Sequence, residues 1–188
     1  MSNVKNYFAH HGTSEKRATE IQISKNFEIS RNDDHYFNCL ENKRKHYHWL
    51  GEGVYFWDDD FEMAKLWAEK RYRNESVAVI EVQIECEREK ILDLRTRKYK
   101  EVIEQLINLI IETDAPDGFD LESLEVNQKN ALIGYACETI CKNSNGLFDM
   151  CYNDFEIQNN NNLFQKVTPQ ICVKNRDIIK FDTINIYK

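Results

Sequence analysis

The chain has 188 residues, a one-domain length able to hide roughly 70% of its unfolded surface. Hydrophobic residues make up 41% and charged residues 30%, with a mean hydropathy of −0.66. That composition excludes a disordered chain, and no apolar run reaches the roughly 18 residues a membrane helix needs. The net charge of −7 excludes whole-surface attraction for nucleic acid, because binding phosphates needs a concentrated positive field.

In chain order, Tyr7 to His10 reads as a short strand ending at Gly12. Ser14 to Ser24 reads as a helix with Thr13 or Ser14 as N-cap and Ala18 and Ile21 on one face. Residues 30 to 48 carry no clean period and read as loop with a short helix. Gly51 to Trp57 is a second strand. Asp58, Asp59 and Asp60 follow it and suit the positive end of a helix near 61 to 74. Ala78, Ile80, Val82 and Ile84 alternate with polar residues as in a half-buried strand, and Ile91 to Leu94 is another. The block from about 97 to 145 is helical. Val102, Leu106 and Leu109 with Ile103, Ile107 and Ile110 give a wide apolar stripe. A turn at Ala115 to Gly118 precedes a second helix, roughly 123 to 142. Leu147 to Tyr152, Gln170 to Lys174 and Ile178 to Ile186 return to strands, with Asn159 to Asn162 as a loop tip. Strands, helices, then strands again predict an α+β fold with split sheets, in a single domain over 1–188.

Six cysteines occur without a CxxC; they read as buried free thiols rather than a disulfide framework. His46 and His48 with Cys39 form too weak a pattern for zinc, so no metal is expected. The start of the chain lacks the apolar core of a signal peptide, and the cytoplasm is the expected location.

Two segments are richer than folding requires. His11-Gly12-Thr13 follows a strand, and Trp49-Leu50-Gly51-Glu52-Gly53-Val54-Tyr55-Phe56-Trp57 holds two more glycines ahead of an aromatic strand. Three of the six glycines lie in these segments, where they let a ligand or another backbone approach closely. Taken alone, a His beside a Gly turn is a structural hydrogen-bonder and a Tyr in an aromatic strand is core. The run Glu41 to Trp49 interleaves basic and aromatic residues, as a solvated loop or as cations over a phosphate.

Together these phrases resemble the ADP-ribosyltransferase superfamily, in its diphtheria-toxin and poly(ADP-ribose)polymerase branch with a His-Tyr-Glu triad. Thr168-Pro169-Gln170-Ile171-Cys172-Val173 is similar to the late strand of that family, and to small bacterial members carrying Gln-Ile-Cys-Val. The resemblance covers residues 7 to 95 and 146 to 182; the helical block holds none of its motifs. It implies a split-sheet fold with a helical insertion and NAD as substrate. It implies transfer of ADP-ribose to a macromolecular acceptor, protein rather than nucleic acid given the acidic chain, with release of nicotinamide. A toxin or phage-defence role belongs to the same association. His11 takes the adenine-side ribose, Gly12 holds the nicotinamide carboxamide through its backbone, Tyr55 stacks on its ring, and Thr13 is counted with the cofactor-binding residues. The second stacking position falls on Leu66, with Trp67 beside it as substitute.

The triad Glu position holds Gln170, a departure. Cleaving the nicotinamide–ribose bond builds positive charge on the ribose, which a carboxylate stabilises and an amide does not. Such preorganised terms are worth roughly 3–4 kcal/mol. Asp154 or Glu156 is expected to supply a carboxylate from a loop, if one is supplied. NAD glycohydrolysis, or an inactive NAD- or ADP-ribose-binding module, are the alternatives.

Overall fold

The computed structural model describes residues 3–42, 45–157 and 166–188. The Asn run at 159–162 and the central part of the basic run at 43–44 lie outside them.

Seven strands and five helices form an α+β architecture. The elements are β1 (Val4–Ser14), α1 (Glu15–Ser24), α2 (Tyr36–Glu41), β2 (Val54–Asp58), α3 (Phe61–Arg71), β3 (Val77–Glu87), β4 (Ile91–Asp93), α4 (Arg97–Asp114), α5 (Val126–Asn143), β5 (Met150–Ile157), β6 (Lys166–Val173) and β7 (Ile179–Tyr187). The strands are hydrogen-bonded in the order β4-β5-β6-β2-β1-β3-β7. Only β4 and β5 run parallel; every other neighbour is antiparallel.

The sequence predicts split sheets, whereas hydrogen bonding joins all seven strands in one. The junction is narrow. β1 pairs with β3 over eleven residue pairs, from Val4↔Glu87 to Ser14↔Val77. It meets β2 only at Ala9↔Asp58 and His10↔Trp57.

Period-two alternation assigns each side chain to a face. One face carries Tyr7, Ala9, Val54, Phe56, Ile80, Val82, Met150, Tyr152 and Ile171, and packs α1 through Ala18 and Ile21. The other carries Tyr55, Leu92, Cys151, Phe155 and Cys172 beneath α4 and α5. At its far side Trp57 and Val79 lie beneath Ala64 of α3. Local chemistry sets the helix ends. The Ser14 side chain caps α1 by accepting from Arg17 N, and Asp60 caps α3 by accepting from Met63 N at 3.0 Å. Of the three acids expected at this helix start, Asp58 instead remains in β2 and Asp59 takes a left-handed φ of 49°.

Strand β1 runs to Ser14, two residues beyond the expected end at Gly12. Gly12 there is a docking point rather than a turn. A Cβ on Gly12 would stand 1.9 Å from the Ala64 carbonyl oxygen, so only glycine lets α3 lie this close.

Candidate functional site

His11, Tyr55 and Gln170 lie on β1, β2 and β6, three adjacent strands at the centre of the sheet. Their side chains divide between its faces. Tyr55 pairs with Cys172, and Gln170 pairs with Trp57, so Tyr55 and Gln170 share the face under α3, α4 and α5. His11 pairs with Ile80 and sits on the α1 face, against Phe27 (ring centroids 5.2 Å) and Phe56 (5.7 Å). On β1 the side chain that shares the face of Tyr55 and Gln170 is His10.

The His11 ring is held by the Tyr55 carbonyl, 2.8 Å from Nδ1. A carbonyl only accepts, so Nδ1 carries the proton. Burial lowers the pKa of His11, and the Arg17 cation adds to that. Thr13 is buried on the same face, opposite Ala78. Gly12 faces α3.

Tyr55 is fixed at its hydroxyl, which donates to Gly51 O at 2.6 Å and accepts from Leu50 N at 2.9 Å. Burial holds its pKa well above the ordinary tyrosine value. The His48 ring tilts against it at 5.4 Å. His48 itself is kept below its usual pKa, first by burial and also by the Arg71 cation. Trp67, the expected second stacking ring, lies on α3 and is 40% exposed. The Arg71 guanidinium covers that ring at 5.3 Å.

The loop ahead of β2 is clamped by a buried ion pair. Lys174 Nζ donates to Leu50 O (2.8 Å) and Glu52 O, and lies 3.4 Å from Glu138 Oε2. Glu138 Oε2 also accepts from Glu52 N at 2.6 Å. Burial raises the Glu138 pKa, but Lys174, the Glu52 N–H and Lys142 outweigh it and hold the carboxyl below its ordinary value. Gly51, at φ 75°, turns the loop between these groups. The helical block thus supplies a side chain that positions Tyr55. No motif marks Glu138 or Lys174, because they meet the loop from distant points of the chain.

Gln170 is 8% exposed; its backbone is paired with Trp57 and Asn153, and its side-chain amide is bonded to no described residue. Asp154 and Glu156, the expected loop carboxylates, lie on β5 opposite Pro169 and Val167. Alternation puts both on the face away from Gln170.

A second polar cluster occupies the α1 face and has no sequence signal. Tyr152 donates to Asp58 Oδ2 at 2.7 Å. Arg95 forks onto Asp93 with two contacts of 2.8 Å and lies 3.6 Å over the Tyr152 ring. Burial raises the Asp58 pKa, with the Tyr152 hydroxyl and Arg95 opposing. Of the residues considered for zinc, the Cys39 thiol meets Asp34 O and His46 O, and His48 Nε2 lies 3.2 Å from Arg31 O. All six cysteines are free thiols.

No protein-family model matches the chain, and no solved structure matches it. The chain is similar to the uncharacterized protein MJ0359 of Methanocaldococcus jannaschii, 26% identical over 195 aligned positions that cover 91% of this chain and 83% of that one.

Proposed function

We propose that this chain is an ADP-ribosyltransferase-like protein that binds NAD and transfers ADP-ribose to a macromolecular acceptor with release of nicotinamide. One observation carries the reading. Three short phrases, far apart in the chain, are neighbours on β1, β2 and β6, and two of them direct Tyr55 and Gln170 to one sheet face. A ring fixed at its hydroxyl suits stacking on a planar heterocycle, and a buried amide with spare hydrogen-bonding capacity suits a ribose hydroxyl. In this reading His11 acts through the backbone of Tyr55 rather than by touching NAD.

A binding module without turnover is the second reading, favoured by the amide at Gln170 and by the placement of Asp154 and Glu156 on the opposite face. NAD consumption, with mass-spectrometric tracking of ADP-ribose, separates the two. Wild-type turnover is expected, with Gln170→Glu as fast or faster because a carboxylate attracts the developing charge. Gln170→Ala is expected to be about tenfold slower, the loss of one positioned bond. NAD binding without turnover favours the module. Equal rates for wild type and Gln170→Ala remove Gln170 from the site.

A further inference from the structure

A single row of side chains crosses the sheet face that carries Gln170. Asn153, Gln170, Trp57, His10, Glu81 and Asn185 stand opposite one another on β5, β6, β2, β1, β3 and β7. Directly opposed residues share a face, with Cβ atoms about 4.5–5.5 Å apart.

One end of the row is bonded. Glu81 accepts from Asn185 Nδ2 at 3.2 Å and from the Tyr187 hydroxyl at 3.4 Å, and its other oxygen lies 3.4 Å from His10 Nε2. A carboxylate only accepts, so Nε2 carries the proton in the neutral tautomer that suits this contact, and in that tautomer Nδ1 is a lone pair. The middle is not bonded. His10 Nδ1 and Trp57 Nε1 are fully buried and have no partner among the described residues. The side-chain amide of Gln170, the next residue along, is bonded to no described residue, although its backbone is paired on both sides. His10 is 5% and Trp57 9% exposed. Buried polar groups are almost always paired, and here two unpaired ones belong to directly opposed residues, with the Gln170 amide next in the row. Phe61 of α3 packs on the His10 ring at 5.8 Å. On the other side Phe155, two residues from Asn153, packs on Trp49 at 4.9 Å.

We propose that His10, Trp57 and Gln170 are the floor of a binding site for the neutral amide edge of a heterocycle, a carbonyl beside an N–H. Trp57 Nε1–H donates to the carbonyl. His10 Nδ1 and Gln170 Oε1 accept from the N–H, and the Gln170 NH₂ takes any further carbonyl. An acid in place of the amide offers no N–H and brings an unpaired charge into a desolvated row, so the floor rejects it. The site does not require ADP-ribose transfer: its ligand edge could belong to a nicotinamide or to a nucleobase, and the test separates these sources.

The test follows the Trp57 indole N–H resonance of the full chain, uniformly ¹⁵N-labelled and assigned with Trp57→Phe. Nicotinamide, uridine and nicotinic acid are titrated separately. A saturable shift of that resonance is expected with nicotinamide or uridine, and whichever binds names the source. Nicotinic acid is expected to bind at least about tenfold more weakly. Gln170→Leu and His10→Phe should each weaken the binding amide about three- to tenfold. An indole resonance unmoved by both amides means that only water occupies the row, and overturns the proposal; so does an equal response to nicotinic acid. The three ligand titrations use the wild-type chain, so failure of Gln170→Leu or His10→Phe to fold leaves them intact. NAD turnover with a silent indole would sink this site alone and leave the transferase reading standing.

Discussion

His11 ties β1 to β2 just past the last backbone pair between them. Its Nδ1 lies 2.8 Å from the Tyr55 carbonyl, while the strand pairing stops at His10↔Trp57. A side chain thereby extends a junction that the backbone makes over two residue pairs.

Replacing His11 with Ala leaves the Tyr55 carbonyl without that bond and opens space against Phe27 and Phe56. A loss of about 2–4 kcal/mol is expected from urea denaturation. A change under about 0.5 kcal/mol would mean that the bond does not hold the two strands.

The depressed pKa of His11 makes stability depend on pH. Folding favours the neutral ring, so below the ordinary value of 6.5 the unfolded chain binds a proton that the folded chain does not. His11 therefore favours the folded state fully above pH 6.5, and the advantage shrinks as pH falls from 6.5 toward the lower folded value. The His11 Cε1–H resonance should not titrate near pH 6.5. Wild type should lose more stability than His11→Asn between pH 7.5 and 5.5. A normal titration curve for His11 would contradict its buried placement.

Gly12→Ala should cost about 2–3 kcal/mol, because the new methyl meets the Ala64 carbonyl, a backbone atom that cannot swing aside. Thermal unfolding reads this directly. An unchanged midpoint would show that α3 does not lie against β1 in the way described.

Lys174→Met should cost about 2–3 kcal/mol, since it removes the donor to Leu50 O and Glu52 O and leaves the buried Glu138 carboxylate with only Lys142 and the Glu52 N–H. Adding Glu138→Leu should restore part of that loss. A double-mutant cycle with additive effects would show that the two charges do not interact. In wild type the depressed Glu138 pKa contributes stability above about pH 4.5 that is lost as pH falls through its folded value.

The thiols should resist alkylation in the native state. Burial pushes Cys86 up to about 12. Cys151 is also held high, first by its thiol partner Cys137, with burial adding to it. Cys141 is partly exposed, but the Cys151 sulfur 3.6 Å away and burial hold its pKa high, so it too should be slow to react. Mass spectrometry should find six modifications only after unfolding. Rapid native labelling of Cys86 or Cys151 would contradict their burial.

Elements with strong local periodicity were readable from sequence. Ala78, Ile80, Val82 and Ile84 lie on one face of β3, and the expected helical block is α4 and α5. Gly12 misled, because a glycine that serves close packing against α3 looks the same as one that ends a strand. The alternation Tyr7, Ala9, His11 already separates His10 from His11, but the His-Gly-Thr phrase drew attention to the latter alone. The Lys174–Glu138 clamp and the Arg95, Asp93, Tyr152 and Asp58 cluster were illegible, since each joins residues with no common local pattern.

The strand order also bears on how the chain emerges from the ribosome. β2 has β6 as its more extensively paired neighbour, and β6 begins at Lys166 although β2 ends at Asp58. At about 5–20 residues per second, the aromatic strand waits roughly 5–20 s for that partner to be synthesised. In the interval Phe56 and Trp57, buried in the finished protein, have no β6 backbone to pair with. The nascent chain therefore carries this aromatic strand without its main partner through more than half of its own translation.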